Sequence, residues 1–188
     1  SACLVGSEMC IRDSIKGAIQ RMYSSTEAMD ANGLTINLAW LAASLVVIAF
    51  AAWLIKRLGE EHLLVDAQLV TALTLLLISP VSWSHHWVWL TLIIPVFVFR
   101  ARTWLPSGWA AGSLLTVLIA WGAMLLTVPP KWWWGDQVDV HAMERYQKFW
   151  VDDFVWLTLL SVALYAAALY AARRNRSARS ATPAPLAS

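Results

Sequence analysis

Five apolar stretches divide this chain, and charged or helix-breaking residues separate them. Ile36–Ile55 runs twenty residues without a charged side chain, the length needed to cross a hydrocarbon core about 30 Å thick. Lys56 and Arg57 follow at once. The second stretch is 63–79; Asp66 and Gln68 lie early in it, where they can reach water or pair with Lys56 or Arg57, and 69–78 carry no charge. The third, 87–99, is short, so its helix is expected to begin inside the His85-His86 stretch before it; Arg100 and Arg102 end it. The fourth is 109–128, stopped by Pro129-Pro130, and the fifth is 154–172, followed by Arg173, Arg174, Arg176 and Arg179. This pattern predicts an all-α membrane protein with about five transmembrane helices.

The segments between and beyond these runs have their own patterns. In 14–35, Ile15, Ile19 and Met22 recur at helical spacing opposite Lys16, Gln20 and Arg21, which predicts a short amphipathic surface helix before a turn at 30–33. In the loop 129–153, Met143, Tyr146, Gln147 and Trp150 share the face of a short helix lying on the membrane. The cytoplasmic tail 173–188 is expected to be disordered. With that arginine cluster cytoplasmic, five crossings put Lys56/Arg57 and Arg100/Arg102 on the cytoplasmic side too, as the positive-inside rule requires. The opposite, outer face of a cell membrane then receives 14–35, 79–86 and 129–153.

Composition agrees with this class. The chain is 59% hydrophobic and 14% charged, with a mean hydropathy of +0.57, whereas soluble domains carry about 25% charge. A net charge of +2 with no single basic patch argues against nucleic acid as a partner. Thirteen tryptophans suit the bilayer interface, where the ring is half buried and the N–H stays wet. Cys3 and Cys10 have no later cysteine to pair with, so they indicate no redox compartment. The opening residues, SACLVGSEMCIRDS, look like translated sequencing adapter; 1–13 are expected to be foreign to the protein, and the chain to be the C-terminal part of a longer one.

The stretch Ser79-Pro80-Val81-Ser82-Trp83-Ser84-His85-His86-Trp87-Val88-Trp89 concentrates the chemistry. Pro80 lacks an N–H and disfavours helix at Ser79, so the second helix should end there. Polar groups near hydrocarbon are costly unless bonded, and Ser82, Trp83, Ser84 and Trp87 therefore read as the wall of a polar site at the membrane boundary. Adjacent histidines point about 100° apart on a helix, so His85 and His86 do not form a shared metal site. Either they cap the broken helix and meet interfacial water, or they bond a phosphate or hydroxyl and move a proton. Trp132, Trp133, Trp134 and Trp150 form an aromatic belt or stack on a sugar face. Asp136, Asp139, Asp152 and Asp153 read as solvated acids of an exposed loop. No phosphate-binding loop, dinucleotide fingerprint, nucleophile elbow or paired-cysteine motif is present, and no metal or cofactor is implied.

The segment SPVSWSHHWVW resembles the S-P-[VI]-S-W-x-H-H-W block of the actinobacterial polyprenyl-phosphate-mannose-dependent α-(1→2) mannosyltransferases of glycosyltransferase family 87, and Ser14-Ile15-Lys16-Gly17 resembles the end of their N-Q-S-[LI]-[RK]-G element. The resemblance runs from about Ser14 to Arg174. It implies the C-terminal part of a GT-C-type polytopic fold, a polyprenyl-phosphate-mannose donor, and a lipid-linked mannoside or lipoglycan acceptor outside the membrane. It also implies inversion at the anomeric carbon with a carboxylate as base. That acid lies in the family's first outer loop and matches none of Asp136, Asp139, Asp152 or Asp153. By position His85 and His86 match the family's histidines, near donor phosphate or acceptor; Ser82, Trp83, Ser84, Trp87 and Trp132–Trp134 are the candidate substrate contacts. A chain without its base is expected to be inactive alone. The rival reading is a non-enzymatic membrane module, a transporter subunit or polysaccharide-assembly scaffold; a haem- or quinone-binding subunit using His85 or His86 is a third.

Overall fold

The computed structural model describes residues 13–80, 82, 84–127, 133 and 143–181. Eight α-helices are described: α1 Ile15–Arg21, α2 Thr26–Ala31, α3 Gly33–Glu60, α4 Leu64–Ile78, α5 Leu90–Trp104, α6 Trp109–Leu126, α7 Arg145–Val151 and α8 Asp153–Ala181. Four helical segments are long and apolar enough to cross a membrane: 33–60, 86–104, 109–126 and 153–178. α4 is apolar but has only fifteen residues, about 22 Å at 1.5 Å per residue. Each of the five expected spans coincides with one helix, α3, α4, α5, α6 or α8. The third begins earlier than its apolar run, because a 3-10 turn over Ser84–Trp89 leads into α5.

The chain runs back and forth. α3 and α4 form one antiparallel pair and α5 and α6 another, and α8 packs on α6, α5 and α4. Turn chemistry sets these reversals. After α3 the His62 N–H donates to the Gly59 carbonyl (3.0 Å) and the Leu63 N–H to the Leu58 carbonyl (2.9 Å), the paired bonds of a Schellman ending. His62 takes the left-handed position there, φ 57°, which glycine more often fills. Between α5 and α6, Pro106 starts the exit and Gly108, φ 133°, makes a turn closed to residues with a Cβ.

The core is apolar and aromatic. Leu54 and Leu58 of α3 join Val70 and Leu73 of α4, Ile93 and Phe97 of α5, Leu114, Leu118 and Trp121 of α6, and Tyr165 of α8, all essentially inaccessible. Leucines and aromatics of α3 that face away, such as Leu38, Leu45, Phe50 and Trp53, are exposed, as expected where lipid is the solvent.

One charged cluster lies inside. Asp66 does not reach toward Lys56 or Arg57, as its place near them suggests; it is wholly buried. Its two carboxylate oxygens accept from Nε and Nη2 of Arg100, each at 2.9 Å, and Oδ1 also accepts the Tyr165 hydroxyl at 2.5 Å. The fork of Arg100 is geometrically matched to a carboxylate, and Arg57 pairs with Glu60 instead. α8 also departs from the sequence reading. It continues through Arg173–Ala181, which were expected to be disordered. Arg173 bonds Glu60 and Glu61 (both 3.0 Å), and Arg176 bonds Glu61, so α8 is held beyond the apolar run by the end of α3. Residues 1–12 and 182–188, read as foreign and as disordered tail, lie outside the described residues.

Asp66→Asn should destabilise the bundle by about 3–5 kcal/mol, because it leaves Arg100 charged and unpaired. Tyr165→Phe, which removes one hydrogen bond, should cost about 1–3 kcal/mol. Reversible unfolding in mixed detergent micelles measures both; equal, negligible losses would show that the cluster does not hold α4, α5 and α8 together.

Candidate functional site

The end of the bundle away from the arginines is built around the proline break. α4 stops at Ile78, as Pro80 requires, with Ser79 extended (φ −57°, ψ 130°) and its N–H still bonded to Leu75 at 3.0 Å. The Ile78 carbonyl has lost its helical donor and accepts instead from the Trp40 indole N–H of α3, 3.0 Å away. The Ser82 carbonyl accepts the Asp13 N–H at 2.7 Å. Irregular backbone at the rim is thus bonded to other parts of the chain.

The 3-10 turn then sorts the side chains. With three residues per turn, positions i and i+3 eclipse. Trp87 and Leu90 are both buried, while His86 and Trp89 are both exposed. Trp87 packs on Phe154 of α8 (ring centroids 5.1 Å), and Phe154 meets Trp121 of α6 edge-on at 6.3 Å. Five buried polar atoms of this turn, the segment before it and the neighbouring helices α6 and α8 have no hydrogen-bond partner among the described residues: Ser82 Oγ, Trp87 Nε1, Trp121 Nε1, Thr158 Oγ1 and Ser161 Oγ. Phe154, Thr158 and Ser161 follow i, i+4, i+7 and so share one face of α8. Buried donors without partners are scarce in folded proteins, and these lie in the segment around the histidine turn and in the adjoining halves of α6 and α8.

A second buried ion pair closes the same end. Arg21 on α1 donates through Nε to Asp152 Oδ1 at 2.7 Å, and Nη2 reaches the same oxygen. Both residues are buried. The amphipathic reading of α1 is therefore corrected: Arg21, assigned to its polar face, is inside, and Met22, assigned to its apolar face, is 79% exposed. The attraction of Asp152 outweighs the helical pattern, because α1 begins at Ser14, whose hydroxyl accepts the Gly17 N–H at 3.4 Å, and this aims its last turn at the α7–α8 junction. Asp152 and Asp153 are likewise not solvated loop acids but buried ones, and Asp153 Oδ1 accepts the Phe154 N–H at 2.8 Å. Burial pushes the Asp152 carboxyl above its ordinary range, and the Arg21 charge pulls it part of the way back.

The structure brings together Ser82, Trp87 and the backbone of Ser84–Trp89 at one rim. His86 presents an exposed side chain there; of His85 and Ser84 only the backbone is described, and Trp83 lies outside the described residues. Trp132 and Trp134 are outside them too, as are Asp136 and Asp139. Trp133 packs on Trp150 of α7 at 5.9 Å. α7 is the short helix expected in the long loop, begun by a reciprocal capping pair between Glu144 and Gln147. Its Tyr146 and Trp150 are exposed. Among the described residues, no group of three histidine, cysteine or acidic side chains could hold a metal. Sequence reasoning did not single out Arg21, Trp121, Thr158 or Ser161. For Trp121, Thr158 and Ser161 the usable signal was a polar or indole group inside an apolar run; Arg21 and Asp152 are 131 positions apart and gave none.

Arg21→Ala should cost about 3–5 kcal/mol by leaving Asp152 alone in a buried site. The pH dependence has a definite sign. A carboxyl held higher in the folded state keeps its proton longer than in the unfolded chain, so its effect on stability is most favourable below the unfolded carboxylate range and declines as pH rises toward the folded value. Asp152→Asn should remove that acid-range slope; an unchanged slope by detergent unfolding at stepped pH would contradict the assignment.

No family model matches the chain, and no solved structure matches it. It is 31% identical over 159 residues to a polyprenol-phosphate-mannose-dependent alpha-(1-2)-phosphatidylinositol mannoside mannosyltransferase of Mycobacterium tuberculosis, covering 79% of this chain and 34% of that protein. It is 37% identical over 89 residues to the protein of the same name from Mycolicibacterium smegmatis, covering 42% of this chain and 20% of the relative. A polyprenol-phosphate-mannose-dependent alpha-(1-2)-phosphatidylinositol pentamannoside mannosyltransferase of M. tuberculosis is 35% identical over 115 residues, 61% of this chain and 23% of that protein. The chain thus spans about a third or less of the length of these curated relatives.

Proposed function

Because this chain is a homologue of the polyprenol-phosphate-mannose-dependent α-(1-2) mannosyltransferases over about a third of their length, we propose that it is the C-terminal membrane part of such an enzyme. The protein moves mannose from a polyprenyl-phosphate donor to a lipid-linked mannoside or lipoglycan, forming an α-1,2 linkage. The observation that carries this reading is the similarity over 159 residues, which takes in most of the bundle. The geometry supports it with a polar rim at one end of the apolar helices.

In this reading the histidine end is the reacting end and faces outside the cell membrane, and the arginine end faces the cytoplasm. The polyprenyl chain lies in the bilayer and its phosphate stands at the rim. His86, exposed in the 3-10 turn, donates to that phosphate and stabilises the negative charge that grows on it as the bond to mannose breaks. His85, its neighbour in the turn, is the second candidate. Ser82 and Trp87, both covered in the bundle, back the rim behind His86. Trp133 and Trp150 offer an aromatic face to sugar. Asp152 is engaged by Arg21 and is not free to act as the base.

In the full-length protein, His86→Ala or His85→Ala should lower mannose transfer about 10²–10⁴-fold while expression and thermal unfolding stay unchanged. The assay follows labelled mannose from a synthetic polyprenyl-phosphate-mannose into a phosphatidylinositol mannoside acceptor. Wild-type turnover in both variants would sink the assignment of the histidines.

A further inference from the structure

At the arginine end, α3 and the last turns of α8 leave a groove of about 460 Å³. Its lining is tiered. Trp53 lies one helical turn before Arg57 on α3, and Leu169 and Tyr170 lie one turn before Arg173 and Arg174 on α8. The apolar tier therefore sits about 5.4 Å deeper along the helices than the cationic tier. The cations are not equivalent. Arg57 bonds Glu60 at 3.1 Å, and Arg173 bonds Glu60 and Glu61. Arg174 is exposed, lines the groove, and has no carboxylate partner among the described residues. The groove thus keeps positive charge after its internal pairs are made.

We propose that this groove binds an anionic phospholipid of the surrounding membrane, with the phosphate at Arg174 and Arg57 and an acyl chain along Trp53, Leu169 and Tyr170. The two tiers match the two parts of such a lipid. A zwitterionic headgroup neutralises itself and gains less from the unpaired guanidinium, and free phosphate has nothing to place on the apolar tier. Basic pockets between helices near a membrane surface are suited to this use, each Arg or Lys adding about fivefold in affinity. The site is distinct from the histidine end and does not depend on the transferase reading.

The test uses the purified chain in an uncharged detergent, titrated with dioctanoyl-phosphatidylglycerol or dioctanoyl-phosphatidylcholine and read by native mass spectrometry. The phosphatidylglycerol adduct should be favoured at least about fivefold. Arg174→Gln should weaken it about fivefold and Arg57→Gln with Arg174→Gln further. Arg102→Gln, at the end of α5 and outside the groove, should leave it unchanged. Among the described residues the Arg174 side chain has no ion-pair partner that its replacement would lose, so that variant should keep its helicity by circular dichroism. Tyr170→Ala, at an exposed side chain, should weaken the lipid without altering charge. Equal binding of the two lipids would overturn the proposal, as would equal effects of Arg174→Gln and Arg102→Gln. Displacement of the lipid by equimolar inorganic phosphate would overturn it too, in favour of a simple anion site.

Discussion

The carboxylate of Asp66 is the constraint around which the bundle is arranged. A charge in a low-dielectric interior is tolerated only when paired and fully hydrogen-bonded. Asp66 meets that condition with groups from two other helices, the guanidinium of Arg100 on α5 and the hydroxyl of Tyr165 on α8. Tyr165 is itself enclosed by Phe97 at 4.3 Å and Trp104 at 5.1 Å. A slide of α4 by one turn, about 5.4 Å, would separate all three. The cluster therefore sets the depth of α4 relative to α5 and α8, and the position of the far end of α4 follows from it.

That far end comes early. Fifteen residues of helix span about 22 Å, less than a typical hydrocarbon core. The proline break and the 3-10 turn must complete the crossing, and exposed backbone at that depth is permitted only where protein satisfies it. The indole of Trp40 and the N–H of Asp13 do so, at Ile78 and Ser82. The buried pair of Arg21 and Asp152 then fixes α1 and the α7–α8 junction around the same rim. As an isolated contribution to stability such a pair is weak evidence, since desolvation opposes the attraction. Its effect on geometry is clearer: it joins the segment before α3 to the segment before α8, which share no apolar run.

The spans were legible because their signal is local. A charge-free run such as 36–55, a proline after Ile78, and arginines after Phe99 and Ala172 each act within a few residues. The short helix α7 was legible for the same reason. What escaped was pairing across the chain. Asp66 meets partners 34 and 99 positions away, and Arg21 meets Asp152 at 131. No periodicity encodes such contacts, so Asp66 was given to the nearest cations and Arg21 to a solvated face. The extension of α8 past Ala172 escaped likewise, because Glu60 and Glu61 that hold it lie 113 and 115 positions from Arg173 and Arg176. Of the candidate site, the turn and its histidines could be read from residue types alone. The unpaired hydroxyls and indoles beneath it could not, since burial without a partner is a property of the packed bundle.

The distribution of those unpaired groups separates the two ends. At the arginine end the charged groups within the bundle and at its edge are largely matched, Asp66 with Arg100 and Tyr165, and Glu60 and Glu61 with Arg57, Arg173 and Arg176. The buried neutral groups without partners among the described residues are Ser44, Ser82, Trp87, Trp121, Thr158 and Ser161. Each lies in the half of its helix nearer the histidine turn, in that turn, or, for Ser82, just before it. A bundle selected only for stability has no reason to collect unmet donors on one side, because each costs about 1–3 kcal/mol. A bundle that must hold a polar molecule at that side does. The unmet groups are themselves covered, so a sugar or phosphate at the rim would meet the exposed His86 first, and the asymmetry supports, without proving, the proposal that the chemistry belongs to that end.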